Sequence, residues 1–328
     1  MKSQKLLLLI KLAVIIIILT GCGKKEGYVK TEGMIWNTIY HITYKGDENL
    51  QDSILPVLNE VSKSLSVFDN NSLVSKLNNS DSVKADRHML TVYESSKRIN
   101  ELSKGNFDPT VSPLVDAWGF GRGHTTSRDT ISIDSLLMFV GIGKTHRQGE
   151  FIVKDDRRIK FNFSAIAKGY GCDAIGEMFK RNKVKDYMVE IGGEIALSGK
   201  SPSGRAWHIA VDAPMEEKAP GEETVMVVSL TDAGIATSGN YRNYRLEGEN
   251  KIAHTISPIT GRPFISEILS ATVIAPNCME ADGIATACMA SSLEEAREIL
   301  FLSGFQGILI TQDSIWETEG FRKYVVND

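Results

Sequence analysis

Cysteine is scarce in this sequence, and cysteine and histidine do not occur at spacings that bind zinc. Four cysteines are spread over 328 residues, and no CxxC or HExxH motif is present. Beyond Cys22 the chain has Cys172, Cys278 and Cys288, an odd number without paired spacing. We therefore expect these three to be buried free thiols rather than a disulfide framework.

An excess of positive charge is also lacking. The chain carries 37 lysine and arginine residues against 41 aspartate and glutamate residues, a formal net charge of -4. General nucleic-acid binding depends on basic patches, so this balance argues against it. No long polar run divides the chain, and its length suits one large domain or two ordinary ones.

The apolar run at the N-terminus is short. Lys2 and Lys5 precede a run from Leu6 to Leu19 that Lys11 interrupts. This run is shorter than the ~20 residues that a membrane-spanning helix needs. It ends in Leu-Thr-Gly-Cys, which is the pattern of a bacterial lipoprotein signal in which Cys22 receives lipid.

This pattern predicts how the chain is divided. We expect residues 1–22 to be a lipoprotein signal, 23–33 a polar tether and 34–328 a single folded domain. An uncleaved membrane anchor is the alternative. The expected location is extracytoplasmic, with lipid on Cys22 and the periplasmic side of a bacterial inner membrane favoured.

The stretch from Phe161 to Asp173 changes from the period of a strand to that of a helix. Phe161 and Phe163 alternate with polar residues, and Ser164 is placed to cap the following helix. A strand that runs directly into a helix leaves backbone N–H groups unpaired, and Lys168 lies in the first turn. The pattern fits an anion site as well as an ordinary strand–helix junction.

Apolar periodicity and turn residues predict further elements. Strands are expected within 35–44, 207–211, 225–230, 271–275 and 307–310, and helices within 54–65, 88–104 and 292–304. The segment 186–199 is expected to be two strands joined at Gly192 and Gly193. The paired glycines would admit a ligand close to the backbone, or would simply form a hairpin.

Asp282 and Thr286 lie at positions i and i+4 of a predicted helix, and so on the same face, one turn apart. Their oxygens suit a hard cation such as Mg2+. Alternatively, Asp282 is an acidic residue near the N-terminus of its helix, where the dipole favours negative charge.

Taken in order, several short motifs resemble the ApbE family, the FAD:protein FMN transferases. The matching segments are Phe107-Asp-Pro-Thr-Val, Trp118-Gly-Phe-Gly, Ala165-Ile-Ala-Lys-Gly-Tyr with Asp173, Gly192-Gly-Glu, Ala236-Thr-Ser-Gly, His254 with Pro258 and Thr260-Gly-Arg-Pro, and Ala281-Asp-Gly-Ile-Ala-Thr. The resemblance covers the chain from about residue 34 to the end. It implies an α+β (mixed α/β) domain with a T-fold-like internal duplication and an FAD site between the halves.

The resemblance also implies a set of site residues. Mg2+ would be held by the carbonyl of Ala165 and the side chains of Asp282 and Thr286, and His254 and Asp282 would take part in catalysis. The expected FAD contacts are Trp36, Ser66, Phe68, Asp69, Asp108, Lys168, Gly192, Gly193, Glu194, Ser238 and His254. One position departs from the family, because Trp36-Asn37-Thr38 stands where Met-Gly-Thr is usual, which alters the expected flavin environment.

The implied reaction is Mg2+-dependent transfer of FMN from FAD to a threonine or serine hydroxyl of an extracytoplasmic protein, with release of AMP. The expected acceptor carries a threonine flavinylation motif, and membrane electron-transfer subunits are candidates. Two alternatives use the same site: an FAD pyrophosphatase and a non-enzymatic FAD-binding lipoprotein. Flavinylation of this chain itself at Thr286 is a further alternative.

Overall fold

The computed structural model describes residues 27–121, 132–214, 224–239, 244–247, 250–253 and 255–326. The predicted lipoprotein signal, Cys22 and His254 lie outside these ranges. No helix in the described part of the chain is both long and apolar enough to cross a bilayer. The first strand spans Tyr28–Ile35, so residues 28–33 of the predicted tether belong to the sheet.

The described residues form fifteen strands and eight α-helices. The strands are β1 (Tyr28–Ile35), β2 (Thr38–Lys45), β3 (Ser82–Lys84), β4 (Thr145–Gln148), β5 (Phe151–Lys154), β6 (Tyr187–Ile191), β7 (Glu194–Ser198), β8 (Trp207–Asp212), β9 (Thr224–Leu230), β10 (Ala233–Gly239), β11 (Tyr244–Glu247), β12 (Asn250–Ala253), β13 (Ile268–Ala275), β14 (Gln306–Thr311) and β15 (Ile315–Glu317). The helices are α1 (Gln51–Leu65), α2 (Leu73–Asn78), α3 (Arg87–Leu102), α4 (Ser112–Ala117), α5 (Ile133–Leu137), α6 (Ala167–Arg181), α7 (Cys278–Met289) and α8 (Leu293–Ser303).

Eight strands form one antiparallel sheet in the order β1-β2-β6-β7-β10-β13-β14-β15. This order contains the same unit twice. In the first half, the helical segment from α1 to α6 connects the pair β1-β2 to the pair β6-β7. In the second half, α7 and α8 connect β10-β13 to β14-β15. The topology therefore confirms the predicted mixed α/β fold and its internal duplication.

The helices cover one face of this sheet. α6 from the first half packs against β6 and β7, and α7 from the second half packs against β10 and β13. α6 and α7 also pack against each other, so the junction between the halves is helical. Part of the other sheet face is covered by the hairpin β8-β9 and by Phe321, which lie in one apolar cluster.

Several predicted elements are confirmed. The predicted helices correspond to α1, α3 and α8, and the two strands joined at Gly192 and Gly193 are β6 and β7. α8 has the capping box formed by Ser292 and Glu295, and it ends at Gly304 with a φ of 70°. Cys172, Cys278 and Cys288 are buried free thiols, as expected.

The predicted strand over 35–44 is wrong at its start. Ile35 is the last residue of β1 and pairs with Thr38, the first residue of β2. Trp36 and Asn37 form the turn between them, with φ values of 51° and 59°. A two-residue turn with both φ values positive matches the twist of a hairpin, but tryptophan is an unusual residue in it. The alternating pattern of residues 35–44 therefore predicts a continuous strand and gives no sign of the turn.

The segment from Ile159 to Phe163 is extended and its alternate side chains are buried, yet it is not a strand of a sheet. Its backbone forms one isolated parallel bridge, between Lys160 and Val111, and the amide of Asn162 donates to the carbonyl of Pro109 at 2.7 Å. The side chain of Asn78 holds Phe161 as well. The amide of Phe161 donates to Asn78 Oδ1 at 2.7 Å, and Asn78 Nδ2 donates to the carbonyl of Phe161 at 2.8 Å. Ser164 is not the helix cap, because α6 begins at Ala167 after Ile166 and has no side-chain cap.

Candidate active site

The first turn of α6 lies directly against α7. The amide of Gly169 donates to Asp282 Oδ2 at 3.0 Å. A Cβ atom added at Gly169 would lie 2.4 Å from the carbonyl oxygen of Cys278 and 2.8 Å from Cβ of Asp282. Glycine is therefore what lets Asp282 reach the start of α6.

The N-terminus of α7 is held from the same helix. Both carboxylate oxygens of Asp173 accept backbone hydrogen bonds, from Cys278 at 2.9 Å and from Met279 at 2.8 Å. Burial raises the pKa of Asp173 to about 7, against the opposing effect of these two hydrogen bonds. Asp173 thus satisfies two of the free N–H groups at the start of α7 and fixes its position against α6.

Three neutral oxygen atoms from different elements meet at this junction. Thr286 Oγ1 is 3.3 Å from the carbonyl oxygen of Ala165 and 3.3 Å from Ser238 Oγ. Asp282 lies one turn before Thr286 on α7. We call Ala165, Ser238, Asp282 and Thr286 the oxygen cluster. It contains residues from both halves of the fold.

Lys168 and Glu194 form an ion pair beside the oxygen cluster. The side chain of Glu194 is 5% exposed, whereas that of Lys168 is 34% exposed. Burial raises the pKa of Glu194, and the charge of Asp282 raises it further. Burial alone would lower the pKa of Lys168, but the charges of Asp282 and Glu194 together raise it. Lys168 is therefore a charged ammonium group that faces the carboxyl groups of Asp282 and Glu194 on one side and solvent on the other.

The donor set of the oxygen cluster fits a hard cation. Mg2+ in proteins is usually bound through one or two carboxylates, with the remaining ligands supplied by water and substrate phosphates. The described residues contain no group of three or more His, Cys, Asp or Glu side chains that could hold a metal. Glu194 Oε2 is buried without a hydrogen-bond partner, so one polar oxygen beside the cluster is available to a ligand. The sequence also allowed Asp282 to be an acidic residue in the first turn of its helix. In the structure the acidic residue of that turn is Glu280, so this alternative is wrong.

The burial of Glu194 predicts a pH dependence of stability. A carboxyl group whose pKa is raised on folding binds more protons in the folded state, so stability falls as the pH rises above its ordinary pKa of 4.5. In the presence of a chelator, Glu194→Gln is expected to reduce this fall. Urea unfolding between pH 5 and 8 measures it, and Glu177→Gln on the surface of α6 is the control. An unchanged slope in Glu194→Gln would contradict the prediction.

A cleft of about 220 Å³ lies next to the predicted turn 66–69. Phe68, Asn78, Lys160 and Asn162 are among its lining residues. The ring of Phe68 is 73% exposed, so it presents a free aromatic face. Asn162 lies only three residues before Ala165, and this short segment connects the cleft to the oxygen cluster.

The turn that carries Phe68 is shaped by its polar residues. Ser66 Oγ accepts from the amide of Phe68 at 3.3 Å, and Asp69 Oδ1 accepts from the amide of Asn71 at 2.8 Å. Both side chains thus hold the local backbone. This arrangement leaves the aromatic ring as the exposed apolar element of the turn.

Asp108 lies in the interior of its loop. Its carboxylate accepts from the amide and hydroxyl of Thr110, from the amide of Ile142 and from Asn100 Nδ2, at distances of 2.6 to 3.1 Å. Burial raises its pKa, although these hydrogen bonds oppose the shift. In this structure Asp108 holds the connecting loop together.

The indole ring of Trp36 faces the protein interior. Its Nε1 donates to Ser62 Oγ on α1 at 2.6 Å. A Cβ atom added at Gly171 would lie 2.5 Å from Cη2 of the ring, so the ring packs on the backbone of α6 one turn after Lys168. Trp36 therefore joins the β1-β2 turn to both α1 and α6.

Removing the indole N–H is expected to weaken this connection. Trp36→Phe keeps an aromatic ring but leaves Ser62 Oγ without its donor, which should cost about 1 kcal/mol of unfolding free energy. Ser62→Ala alone and the double variant complete a double-mutant cycle. Chemical unfolding should give a coupling of about 1 kcal/mol between the two sites, and strict additivity would contradict the contact.

The turn between β6 and β7 lies at the same end of the sheet as Trp36. Gly192 and Gly193 have φ values of 65° and 103°. A Cβ atom at Gly192 would lie 2.8 Å from Thr38 Oγ1, whereas one at Gly193 would meet nothing within 4 Å. The glycines thus form a tight hairpin and leave an open backbone position immediately before Glu194.

Sequence reasoning missed the role of the glycines in α6. Gly169, Gly171 and Gly176 all lie inside this helix, where each costs roughly 1 kcal/mol relative to alanine. Each is approached closely by another element: α7, Trp36 and Tyr187 respectively. Three glycines inside one predicted helix are therefore a sequence signal that other elements pack closely against α6.

A larger cavity of about 340 Å³ lies on another side of α6, lined by Tyr170, Asp173 and Lys180 among others. None of the predicted site residues lines it. The polar chemistry instead converges at the oxygen cluster and its neighbouring ion pair. We therefore place the candidate active site there, although the larger cavity lies elsewhere.

Known proteins resemble this chain over most of its length. A protein of Vibrio cholerae named FAD:protein FMN transferase is 32% identical over 322 residues, which cover 94% of each chain. A protein of the same name from Haemophilus influenzae is 31% identical and covers 86% of each chain. The solved structure titled flavin transferase ApbE from Vibrio cholerae matches with a TM-score of 0.80 at 30% identity, covering 90% of this chain and 99% of that chain.

The family model described as the ApbE family matches residues 36–308. This range runs from the β1-β2 turn into β14 and includes every described member of the candidate site. The fold, the motif order and the relatives agree. The chain belongs to the ApbE family.

Proposed function

We propose that this protein transfers the FMN part of FAD to a threonine or serine hydroxyl of an extracytoplasmic protein, in a Mg2+-dependent reaction that releases AMP. The relatives named FAD:protein FMN transferase support the flavin and protein substrates. The observation that carries the proposal is the oxygen cluster beside the Lys168–Glu194 ion pair, formed where the two halves meet. Such a site suits a pyrophosphate with a bound cation.

The reaction breaks one bond of the FAD pyrophosphate and forms one phosphoester bond. The acceptor hydroxyl oxygen attacks the phosphorus on the FMN side, and the bond from that phosphorus to the bridging oxygen breaks. AMP leaves with the bridging oxygen, and the hydroxyl proton is released. This chemistry depends mainly on positioning and charge neutralisation, not on a covalent enzyme intermediate.

The residues of the site have separate tasks in this proposal. Ala165, Asp282 and Thr286 would hold Mg2+, which supplies Lewis-acid polarisation of the pyrophosphate when bound. Lys168 would stabilise the charge of the phosphates, since its ammonium group is partly exposed to solvent at the edge of the cluster. Glu194 positions Lys168 through their ion pair.

The cleft beside Phe68 gives FAD a place to extend from the oxygen cluster. The exposed ring of Phe68 suits stacking on a flat heterocycle. Asn162 lines the same cleft, and its Nδ2 can donate hydrogen bonds, while its Oδ1 accepts from the amide of Ser164 at 2.9 Å. We propose that Phe68, Ser66, Asp69 and the segment around Asn162 bind FAD at this end. Trp36, Asp108, the Gly192-Gly193 turn and His254 remain proposed contacts.

The localisation is part of the same proposal. Cys22 would carry the lipid, the mature protein would face the periplasm, and its acceptor would be a protein exposed in that compartment. Globomycin, an inhibitor of lipoprotein signal cleavage, should cause the uncleaved precursor to accumulate. Cys22→Ser should abolish lipid labelling and release the protein from the membrane fraction.

Acceptor-dependent release of AMP tests the reaction. Purified protein is incubated with FAD and Mg2+, with and without a protein that carries a threonine flavinylation motif. Transfer predicts AMP in proportion to covalent, phosphoester-linked flavin on the acceptor threonine. FMN and AMP formed equally without acceptor would show an FAD pyrophosphatase, and tight FAD binding without AMP would show a binding protein.

A further inference from the structure

The large sheet has two ends, and the candidate active site lies at one of them. The turn at Trp36 joins β1 to β2 at this end, and beside it the amide of Gly192 donates to the carbonyl of Ile39 at 3.0 Å. β1 spans eight residues and begins at Tyr28, at the opposite end. Because a strand rises about 3.4 Å per residue, the two ends of β1 are roughly 24 Å apart. The start of β1 is therefore far from the candidate active site.

Three loops surround the start of β1. The amide of Gly46 donates to the carbonyl of Gly27 at 2.9 Å, and the hydroxyl of Tyr28 donates to the carbonyl of Lys200 at 2.7 Å. β6 pairs with β2, so the loop before β6 lies at the same end of the sheet. We call this surface the basal end, and it consists of residues 27–28, 45–48, 181–186 and 199–205.

The basal end carries unpaired positive charge. Its exposed basic side chains, none of which forms an ion pair with a described residue, are those of Arg181, Lys183, Lys185, Lys200 and Arg205. Two of the loops lie against each other, because a Cβ atom added at Gly199 would be 2.8 Å from the carbonyl oxygen of Lys185. The chain as a whole has a formal net charge of -4, so this concentration of positive charge is local.

Acidic side chains at the basal end offset only part of this charge. Asp186 lies 3.9 Å from Lys45 and accepts from the amide of Lys200 at 2.9 Å. Asp47 and Glu48 are exposed. The unpaired basic groups outnumber these two acidic groups, so the surface favours an anionic partner.

The basal end is also where the chain arrives from Cys22. Gly27 is five residues after Cys22, and five extended residues span at most about 18 Å. With lipid on Cys22, as proposed above, Gly27 lies within this distance of the bilayer surface. A molecule with its active-site end against the bilayer would hold Gly27 roughly 24 Å or more above it, beyond the reach of these five residues.

We propose that the basal end lies on the anionic head groups of the bilayer that holds the Cys22 lipid, with the candidate active site facing away from it. This inference rests on the proposed lipidation and not on the proposed reaction. Lysine and arginine side chains are attracted to an anionic surface within a Debye length, about 8 Å at physiological salt. A lipid anchor and a basic patch together attach a protein more stably than either does alone.

This orientation determines which acceptors can be reached. The active-site end lies roughly 24 Å or more above the bilayer surface, which is the length of β1. The acceptor hydroxyl is therefore carried on a domain that projects from the membrane or is free in the compartment. A hydroxyl at the level of the head groups would not reach the site.

Fluorescence quenching at the membrane surface tests the orientation. The mature, lipid-bearing chain is labelled at one introduced cysteine, Ser203→Cys at the basal end or Met34→Cys near the other end of β1. It is reconstituted in vesicles of phosphatidylethanolamine and phosphatidylglycerol with a quencher on the head groups. Both positions are exposed, and the native thiols of the described residues are buried. Quenching should be several-fold stronger at position 203. Equal quenching, stronger quenching at position 34, or a mature chain without lipid on Cys22 would overturn the proposal.

Charge reversal tests the role of the basic side chains. With the label at position 203, quenching should be roughly two-fold weaker in phosphatidylcholine vesicles, which have no net charge, than in the anionic vesicles. Lys185→Glu with Lys200→Glu should remove this difference. Lys63→Glu with Lys76→Glu changes the net charge equally at exposed positions outside the basal end, and should keep it. Equal quenching of the parent protein in both kinds of vesicle, or equal losses in both pairs of variants, would contradict the proposal. Neither experiment requires FAD, so its failure is distinct from a failure of the proposed reaction.

Discussion

Asp282→Asn is expected to lower Mg2+-dependent FMN transfer by roughly three orders of magnitude while the protein remains folded. Asparagine keeps an oxygen that accepts from the amide of Gly169, so the contact between α6 and α7 can persist. It removes the carboxylate charge from the oxygen cluster. A catalytic cation contributes several kcal/mol of transition-state stabilisation, which corresponds to roughly 10³-fold in rate. Acceptor-dependent AMP release measures the loss, and circular dichroism checks the fold.

Metal binding can be tested apart from activity. In wild type, Mg2+ with FAD should raise the melting temperature, because a ligand that binds only the folded state stabilises it. Asp282→Asn should lack this rise. Its metal-free stability should be no lower than that of wild type, since burial raises the pKa of Asp282 and its charge is costly. Asp282→Ala, which removes the side chain, should lose transfer as well.

Glu280→Gln is the matched control on the same helix. Glu280 lies two residues before Asp282 and pairs with Arg98 at the surface, away from the oxygen cluster. Its replacement should leave transfer within about two-fold of wild type, because Glu280 pairs with the partly exposed Arg98 and contributes no oxygen to the cluster. Full activity of Asp282→Asn, or equal losses in both variants, would show that the metal assignment is wrong.

Gly169→Ala should destabilise the protein by about 2 kcal/mol or more and abolish transfer. Alanine favours a helix interior by roughly 1 kcal/mol over glycine, so propensity alone predicts a stabilisation. The added methyl group would lie 2.4 Å from the carbonyl oxygen of Cys278, which is backbone and cannot rotate away. α6 and α7 must therefore separate, which moves Ala165 away from Asp282 and Thr286.

Two other glycines serve as controls for Gly169. A Cβ atom at Gly143 would meet nothing within 4 Å, so Gly143→Ala should change stability by less than about 0.5 kcal/mol. At Gly176 the new methyl group would meet the hydroxyl end of the Tyr187 side chain, at 2.8 Å. Urea unfolding should therefore give the largest loss for Gly169→Ala. Equal effects at Gly169 and Gly143 would contradict the close contact.

The elements that were predictable from sequence are those with local causes. The capping box of α8 needs only Ser292 and Glu295, three residues apart, and its end needs only Gly304. The hairpin at Gly192 and Gly193 needs only two adjacent residues that tolerate positive φ. In each case the residues that determine the backbone are neighbours in the chain.

The predictions that failed depended on distant partners. The alternation around Phe161 predicts a strand, but its backbone is held by the side chain of Asn78 in α2 and by an isolated bridge to Val111, not by a neighbouring strand. The sequence does not predict the turn at Trp36, because a tryptophan at positive φ is stabilised here by contacts with Ser62 and Gly171. No local pattern contains those contacts.

By itself, the sequence determined the family, because its motifs occur in the family's order. It also determined which residues are candidates for the site. Only the tertiary structure decided which of them meet. Thr286 lies 3.3 Å from the carbonyl of Ala165, and Gly169 lets α6 and α7 pack this closely. Residues more than one hundred positions apart become neighbours through helix packing, which depends on shape across the whole core and not on any local pattern.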